Sequence, residues 1–175
     1  MLSNIQILLP VFAIAVFAAS LVYAAYTDFK EMRITNKTCL VGLAAYGFYA
    51  LSLVFNGDAG SVLSGVWVAA TVFLVTAFMN AKNALGGGDV KLLTVLGLWT
   101  GSQYFLDTFF IVALCGGLVA AVALARQRMM KSAPVGATPG GDSPLEQRPI
   151  PYGPGITIAG LFLSSELILN ALAQY

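Results

Sequence analysis

The chain has 175 residues, 58% hydrophobic and 10% charged, with a formal net charge of +1 and a mean hydropathy of +0.83. So few charges cannot clothe a soluble domain of this size, and the near-neutral balance excludes a broad basic surface for nucleic acid. Histidine is absent, which removes Ser-His-Asp and Cys-His catalysis and imidazole zinc sites, and the two cysteines, Cys39 and Cys115, form no CxxC pair.

About 20 apolar residues cross a bilayer core. Six stretches approach that length: Ile5–Tyr26, Cys39–Phe55, Ser61–Met79, Leu92–Leu106, Thr108–Ala125 and Ile156–Ala173. The fourth is short and broken by Gly101. Met1 to Asn4 carries no Lys or Arg and the apolar run after it is long, so the first stretch reads as a retained span and not a secretory signal. Between Arg126 and Pro149 the chain is rich in Gly, Pro and Ser, a composition that packs no core, and a flexible cytoplasmic loop is expected over about 126–150. The expected fold is therefore all-α: one integral membrane domain over 1–175, with six transmembrane helices.

The basic residues fall in three clusters: Lys30, Arg33 and Lys37; Lys82 and Lys91; Arg126, Arg128, Lys131 and Arg148. Cytoplasmic loops carry such residues. The turns at Asn56–Gly60 and around Asp107 have none, so they are expected outside, together with the N-terminus. An even number of crossings must separate successive clusters, which two short helices between Lys91 and Arg126 satisfy.

Two aspartates stand at the edges of these spans. Asp28 follows the first, and Asp89 follows three glycines, Gly86, Gly87 and Gly88, where the chain enters the fourth. By the charge pattern both lie at the cytoplasmic rim. An acid at the edge of a span is costly and is a candidate for function. Two carboxylates sharing a site cannot both ionise cheaply, so the pair holds one proton. The ionised partner can take a proton from an attacking water, and the protonated one can hydrogen-bond a peptide carbonyl. Against this stands a simple interfacial ion pair of Asp28 with Lys30 or Arg33. The glycines are expected to supply backbone angles closed to other residues and room for a substrate strand. Their spacing does not make a phosphate loop.

Lys91 either attracts a substrate acid, tunes Asp89, or snorkels to the interface. Asn36 reads as a helix N-cap. Glu166, inside the last stretch near Ser164, Ser165 and Asn170, reads as an interhelical hydrogen-bond partner toward the outer face. Trp67 and Trp99 are expected in packing or an interfacial belt, and Gly116-Gly117 in close helix contacts.

Gly86-x-Gly88-Asp89-x-Lys91 resembles the GxGD signature of the type IV prepilin peptidases, polytopic aspartic proteases of prokaryotic membranes. Asp28 followed by Arg33-Ile34-Thr35-Asn36 is similar to that family's other catalytic segment, with Thr35 where proline is common. Pro151-Tyr152-Gly153-Pro154 resembles its Pro-aromatic-Gly segment. The resemblance implies catalytic Asp28 and Asp89, supported by Gly86, Gly87, Gly88 and Lys91, with no cofactor and no metal. It implies a multi-pass protein of the prokaryotic inner membrane whose site faces the cytoplasm. Its partners would be the bilayer and a prepilin, with a basic leader, a glycine at the cut and an apolar helix. The missing CxxC motifs point to the short, peptidase-only CpaA/TadV-like branch that processes Flp-type pilins, without N-methyltransferase activity. A small proton-coupled transporter and a non-catalytic pilus-assembly scaffold are the alternatives from the residues alone.

Overall fold

In a computed structural model the described residues, 2–31, 33–131 and 153–173, form six α-helices and no strand. In chain order they are α1 (Leu2–Glu31), α2 (Asn36–Phe55), α3 (Ala59–Ala81), α4 (Gly87–Thr100), α5 (Phe105–Lys131) and α6 (Gly153–Ala173). Four of them, at Leu8–Glu31, Asn36–Phe55, Ala59–Ala81 and Gly153–Ala173, are long and apolar enough to cross a membrane. Phe105–Val119 is a shorter apolar helix among the described residues. At 1.5 Å per residue the fourteen residues of α4 reach about 21 Å, short of a hydrocarbon core about 30 Å thick. α5 continues helical to Lys131, past the expected start of the flexible loop. The rest of that loop, with Pro151 and Tyr152, lies outside the described residues.

The helices are apolar on every side, and the outer faces carry Phe12, Leu40, Leu74, Phe78, Leu114 and Leu118. Such surfaces suit lipid and not water. α4 is the most enclosed element, packed between α2, α3, α5 and α6. Its Trp99 is 2% exposed and centres the core. Phe17 stacks on it with ring centroids 4.3 Å apart, Tyr49 stacks at 5.1 Å, and Tyr46 meets it edge-on at 5.5 Å. The indole N–H donates to the Gly42 carbonyl at 3.1 Å, so no buried donor is left unpaired there. Trp67, by contrast, is 68% exposed and points outward.

Where helices must touch, glycine makes room. A Cβ on Gly65 would stand 2.5 Å from the Leu98 carbonyl oxygen and 2.7 Å from the Tyr46 hydroxyl. One on Gly97 would stand 3.1 Å from Val72, so α3 and α4 approach through glycines on both sides. Gly116 fills its expected part at the α5–α6 contact, lying against Gly155, whereas Gly117 faces open space.

The turns are set by local chemistry. Gly57 (φ +82°) ends α2 in the left-handed conformation, with bonds from its own N–H to the Val54 carbonyl and from the Asp58 N–H to Leu53. Asp58 then caps α3 by accepting from the Ser61 N–H and hydroxyl. At the end of α3, Asn83 (φ +57°) plays the part that Gly57 plays in α2: its N–H donates to Asn80 and that of Ala84 to Met79.

The backbone oxygen facing Gly65 cannot swing aside as a side chain could. Gly65→Ala should therefore lower stability by about 1–3 kcal/mol, as overpacking does, read as an earlier unfolding midpoint in detergent.

Candidate active site

One contact layer fixes how the site is assembled. A Cβ on Gly160 of α6 would collide with Leu21 of α1 and stand 3.3 Å from Leu96 of α4. Three helices thus meet at Leu21, Leu96 and Gly160. Seven residues make nearly two turns, about 10.5 Å along the axis, and return to the same helix face. Seven residues after Leu21 comes Asp28; seven before Leu96 comes Asp89; seven before Gly160 comes Gly153. α1 runs antiparallel to α6, with the Thr157 hydroxyl donating to the Leu21 carbonyl at 2.9 Å. So the shared heptad spacing brings both aspartates and Gly153 to one end of the bundle, on facing sides.

Both aspartates are buried there, Asp28 at 7% exposure and Asp89 at 9%. The Gly153 N–H donates to Asp28 Oδ2 at 2.9 Å across 125 residues of sequence. That N–H is one of the unpaired donors that begin α6, and the positive end of the helix favours a carboxylate. A Cβ on Gly153 would stand 2.6 Å from Oδ2 and 2.8 Å from Asp28 Cβ. Only glycine lets the carboxylate approach, which is the physical content of Gly153 in the Pro-Tyr-Gly-Pro segment. Among the described residues Asp28 makes no ion pair with Lys30 or Arg33, and the Gly153 N–H is its partner. Lys30 instead lies over the Tyr26 ring, 5.7 Å from its centroid.

Asp89 is the third residue of α4, whose N-cap is Gly86. Its carboxylate folds back toward the Gly86 backbone, whose N–H favours the charged form. Asp89 lies outside the four long spans. Burial first, and the Asp28 charge second, push it up to about 6. The two buried carboxylates thus stand at the same end of the bundle, each seven residues from the layer where Leu21, Leu96 and Gly160 meet.

The backbone angles expected of the glycines are not what the structure uses them for. None of Gly86, Gly87 and Gly88 has a positive φ; Gly86 is extended (φ −69°, ψ 143°) and the next two open α4. What they supply is closeness. A Cβ on Gly88 would stand 3.0 Å from Ile34 Cβ, and one on Gly86 3.0 Å from Asp89 Oδ2. Gly87 is unconfined, with Asn80 Nδ2 the nearest atom at 3.9 Å. Ile34, in the α1–α2 turn, therefore packs directly on the first turn of α4.

Lys91 donates to Asn36 Oδ1 at 2.7 Å, tying α4 to the start of α2. Asn36 is not the cap of α2; Thr35 holds that position, and its hydroxyl pairs with that of Thr38 at 2.8 Å. Asn80 donates to the Leu85 carbonyl at 2.7 Å and, with Asn83, shapes the turn that delivers Gly86 to Asp89. Asn80 and Asn83, the packing of Ile34 on Gly88 and the bonding of Gly153 were not foreseen from the sequence. A left-handed Asn just after an apolar run was the one available signal. Glu166 is half-buried and stands with Tyr104, which accepts a hydrogen bond from the Asn170 amide at the far end of α4. It takes no part in the aspartate site.

A helical bundle that holds two interacting carboxylates at one end, in a chain with four membrane-length apolar helices, defines a polytopic membrane protein with a paired-aspartate site. Residues 15–121 match the model of the type IV leader peptidase family, and the chain belongs to that family. It is 32% identical over 133 residues to a prepilin leader peptidase/N-methyltransferase of Bacillus subtilis, covering 75% of this chain and 52% of that protein. Proteins of the same name from Pseudomonas aeruginosa and Neisseria gonorrhoeae are 31% and 26% identical, over 69% and 70% of this chain and 36% and 40% of theirs. The chain thus spans about half, or less, of the length of these relatives. No solved structure gives a significant match.

Two outcomes follow from this geometry. Asp28→Asn keeps an oxygen that can accept from Gly153 and should stay folded, whereas Asp28→Ala leaves that N–H unpaired and should cost a further ~1–3 kcal/mol; unfolding in detergent separates them. Gly88→Val should destabilise through Ile34 by about 1–3 kcal/mol, while Gly87→Ala, which meets nothing, should change stability by no more than ~1 kcal/mol.

Proposed function

We propose that this chain is a membrane aspartic endopeptidase that removes the basic leader of a type IV, Flp-like prepilin after a glycine. The observation that carries the reading is the pair of buried aspartates, Asp28 and Asp89, set at one end of the bundle by their shared offset from the Leu21, Leu96 and Gly160 contact. One proton serves both. The ionised carboxylate draws a proton from water as the oxygen attacks the scissile carbonyl, and the protonated one donates to that carbonyl oxygen. The proton then returns to the departing amine, and the pair is restored. Gly86 and Gly88 act by letting the carboxylate and Ile34 close on the first turn of α4. Lys91, through Asn36, positions that turn against α2.

The chain crosses the inner membrane of a prokaryote six times, with its N-terminus outside and the aspartates at the cytoplasmic rim. The three basic clusters support that orientation. An apolar pilin helix would lie in the bilayer with its leader in the cytoplasm, which puts the cut at the depth of the pair. The relatives' names include an N-methyltransferase activity. This chain's 175 residues contain no CxxC pair, which supports peptidase activity alone and the short CpaA/TadV-like branch.

Purified protein incubated with a prepilin should yield a shortened product whose N-terminal sequence reports the cut. Asp28→Asn and Asp89→Asn should each lower the rate by at least about a thousandfold while the protein remains folded in the membrane. Full activity in either variant would end this reading. Because the shared proton is lost as pH rises through the upper value of the pair, about 6 at Asp89, kcat/KM should decline above it. A profile flat through that value would remove the single-proton requirement.

A further inference from the structure

A cleft of about 410 Å³ opens between α3 and α5, which flank α4 without packing side by side. Thr71, Val75 and Met79 form one wall and Phe109, Val112 and Ala113 the other. Its floor is Leu93 of α4 and Ile156 of α6. These two floor residues lead to the aspartates. Leu93 lies one turn after Asp89, and Ile156 one turn after Gly153, the residue bonded to Asp28. Leu85, at the same end, directly precedes Gly86.

We infer that this cleft is the docking groove for the apolar helix of the substrate, a conclusion that rests on the peptidase reading above. The occupant follows from three features. The lining is apolar apart from two threonines, and the hydroxyls of both, Thr71 and Thr76, are spent on backbone carbonyls of their own helix. It therefore offers nothing to a polar peptide. A helix about 10 Å across cannot fit whole into such a volume, but the side chains along one of its faces can, with the rest left in lipid. Gly116 and Gly117 line the α5 wall, and Gly117 has no atom within 4 Å of where a Cβ would be, so a helix backbone can come close. A helix seated there places the residue just beyond its end beside Asp89 and Asp28, one turn from the floor.

Crosslinking tests the groove independently of cleavage. The probe is a synthetic peptide with a basic leader, a glycine and an apolar helix of about 20 residues, carrying one cysteine in the first turns of that helix. The protein is the cleavage-dead Asp89→Asn chain, with Cys39 and Cys115 alone setting the background. Adding Val75→Cys, in the groove wall, should give disulfide crosslinks at least about tenfold above Leu74→Cys, whose side chain is exposed but outside the lining. Equal crosslinking at both positions, or none at Val75, would overturn the groove. Absence of cleavage by the unaltered chain would instead defeat the peptidase reading, and the crosslink ratio would still report where the helix sits. In the active chain, Gly117→Trp should raise KM for the helix-bearing peptide about tenfold with kcat retained. An unchanged KM would overturn the proposal.

Discussion

The hydrogen bond from the Gly153 N–H to the Asp28 carboxylate is the tie on which this end of the molecule depends. It joins the last turn of the first helix to the first turn of the last. It satisfies a donor that begins α6 and gives a buried acid a partner, where each alone would be penalised. It also leaves one of the two carboxylate oxygens of Asp28 uncommitted to that bond. The same carboxylate can thus hold two helices together and still act on Asp89. A residue that served only one of these ends would not have to sit at the meeting of three helices.

Around that tie, distance is controlled by what glycine lacks. Gly153 admits a carboxylate, Gly88 admits Ile34, Gly160 admits Leu21, and Gly65 admits a backbone carbonyl. At none of these positions is an unusual backbone angle involved. In a bundle whose outside is as apolar as its inside, the hydrophobic effect gives little preference for one packing over another, and close contact has to specify it. Among the described residues, left-handed backbone is confined to turns, at Gly57, Asn83 and Gly101, where it ends helices and sets the direction of the chain.

Much of this was legible in the sequence. The apolar runs located the helices, and the aspartates stood out because acids at the edges of such runs are rare. That Asp28 and Asp89 would meet could be expected from the charge pattern, yet the reason they meet is the heptad offset from Leu21 and Leu96, which needs the contact layer to be seen. The glycine-rich turn was recognisable as a special place, but the unusual backbone angles expected there are absent from Gly86, Gly87 and Gly88. Sequence shows that a side chain is missing and not whether the absence serves an angle or a neighbour. Asn36 looked like a cap because the type is right; the helix begins at Asn36 itself, one residue earlier than that reading needs, with Thr35 in the cap position. The bond of Lys91 to Asn36 crosses 55 positions, and no local pattern announces it. Trp99 and Trp67 are alike in composition terms, and only the fold separates the centre of the core from the lipid-facing surface.

The shortness of α4 has a consequence for the surrounding lipid. A rod of fourteen residues at the middle of longer ones cannot bring both its ends level with the headgroups. At its Thr100 end the bundle is hollowed, between Tyr46, Tyr49, Asp58, Gly101 and Tyr104. Solvent can then descend to a depth that a flat bilayer would keep dry. That basin lies at the end of α4 remote from Asp89, so it wets the Tyr104 and Asn170 side of the bundle, opposite the paired acids.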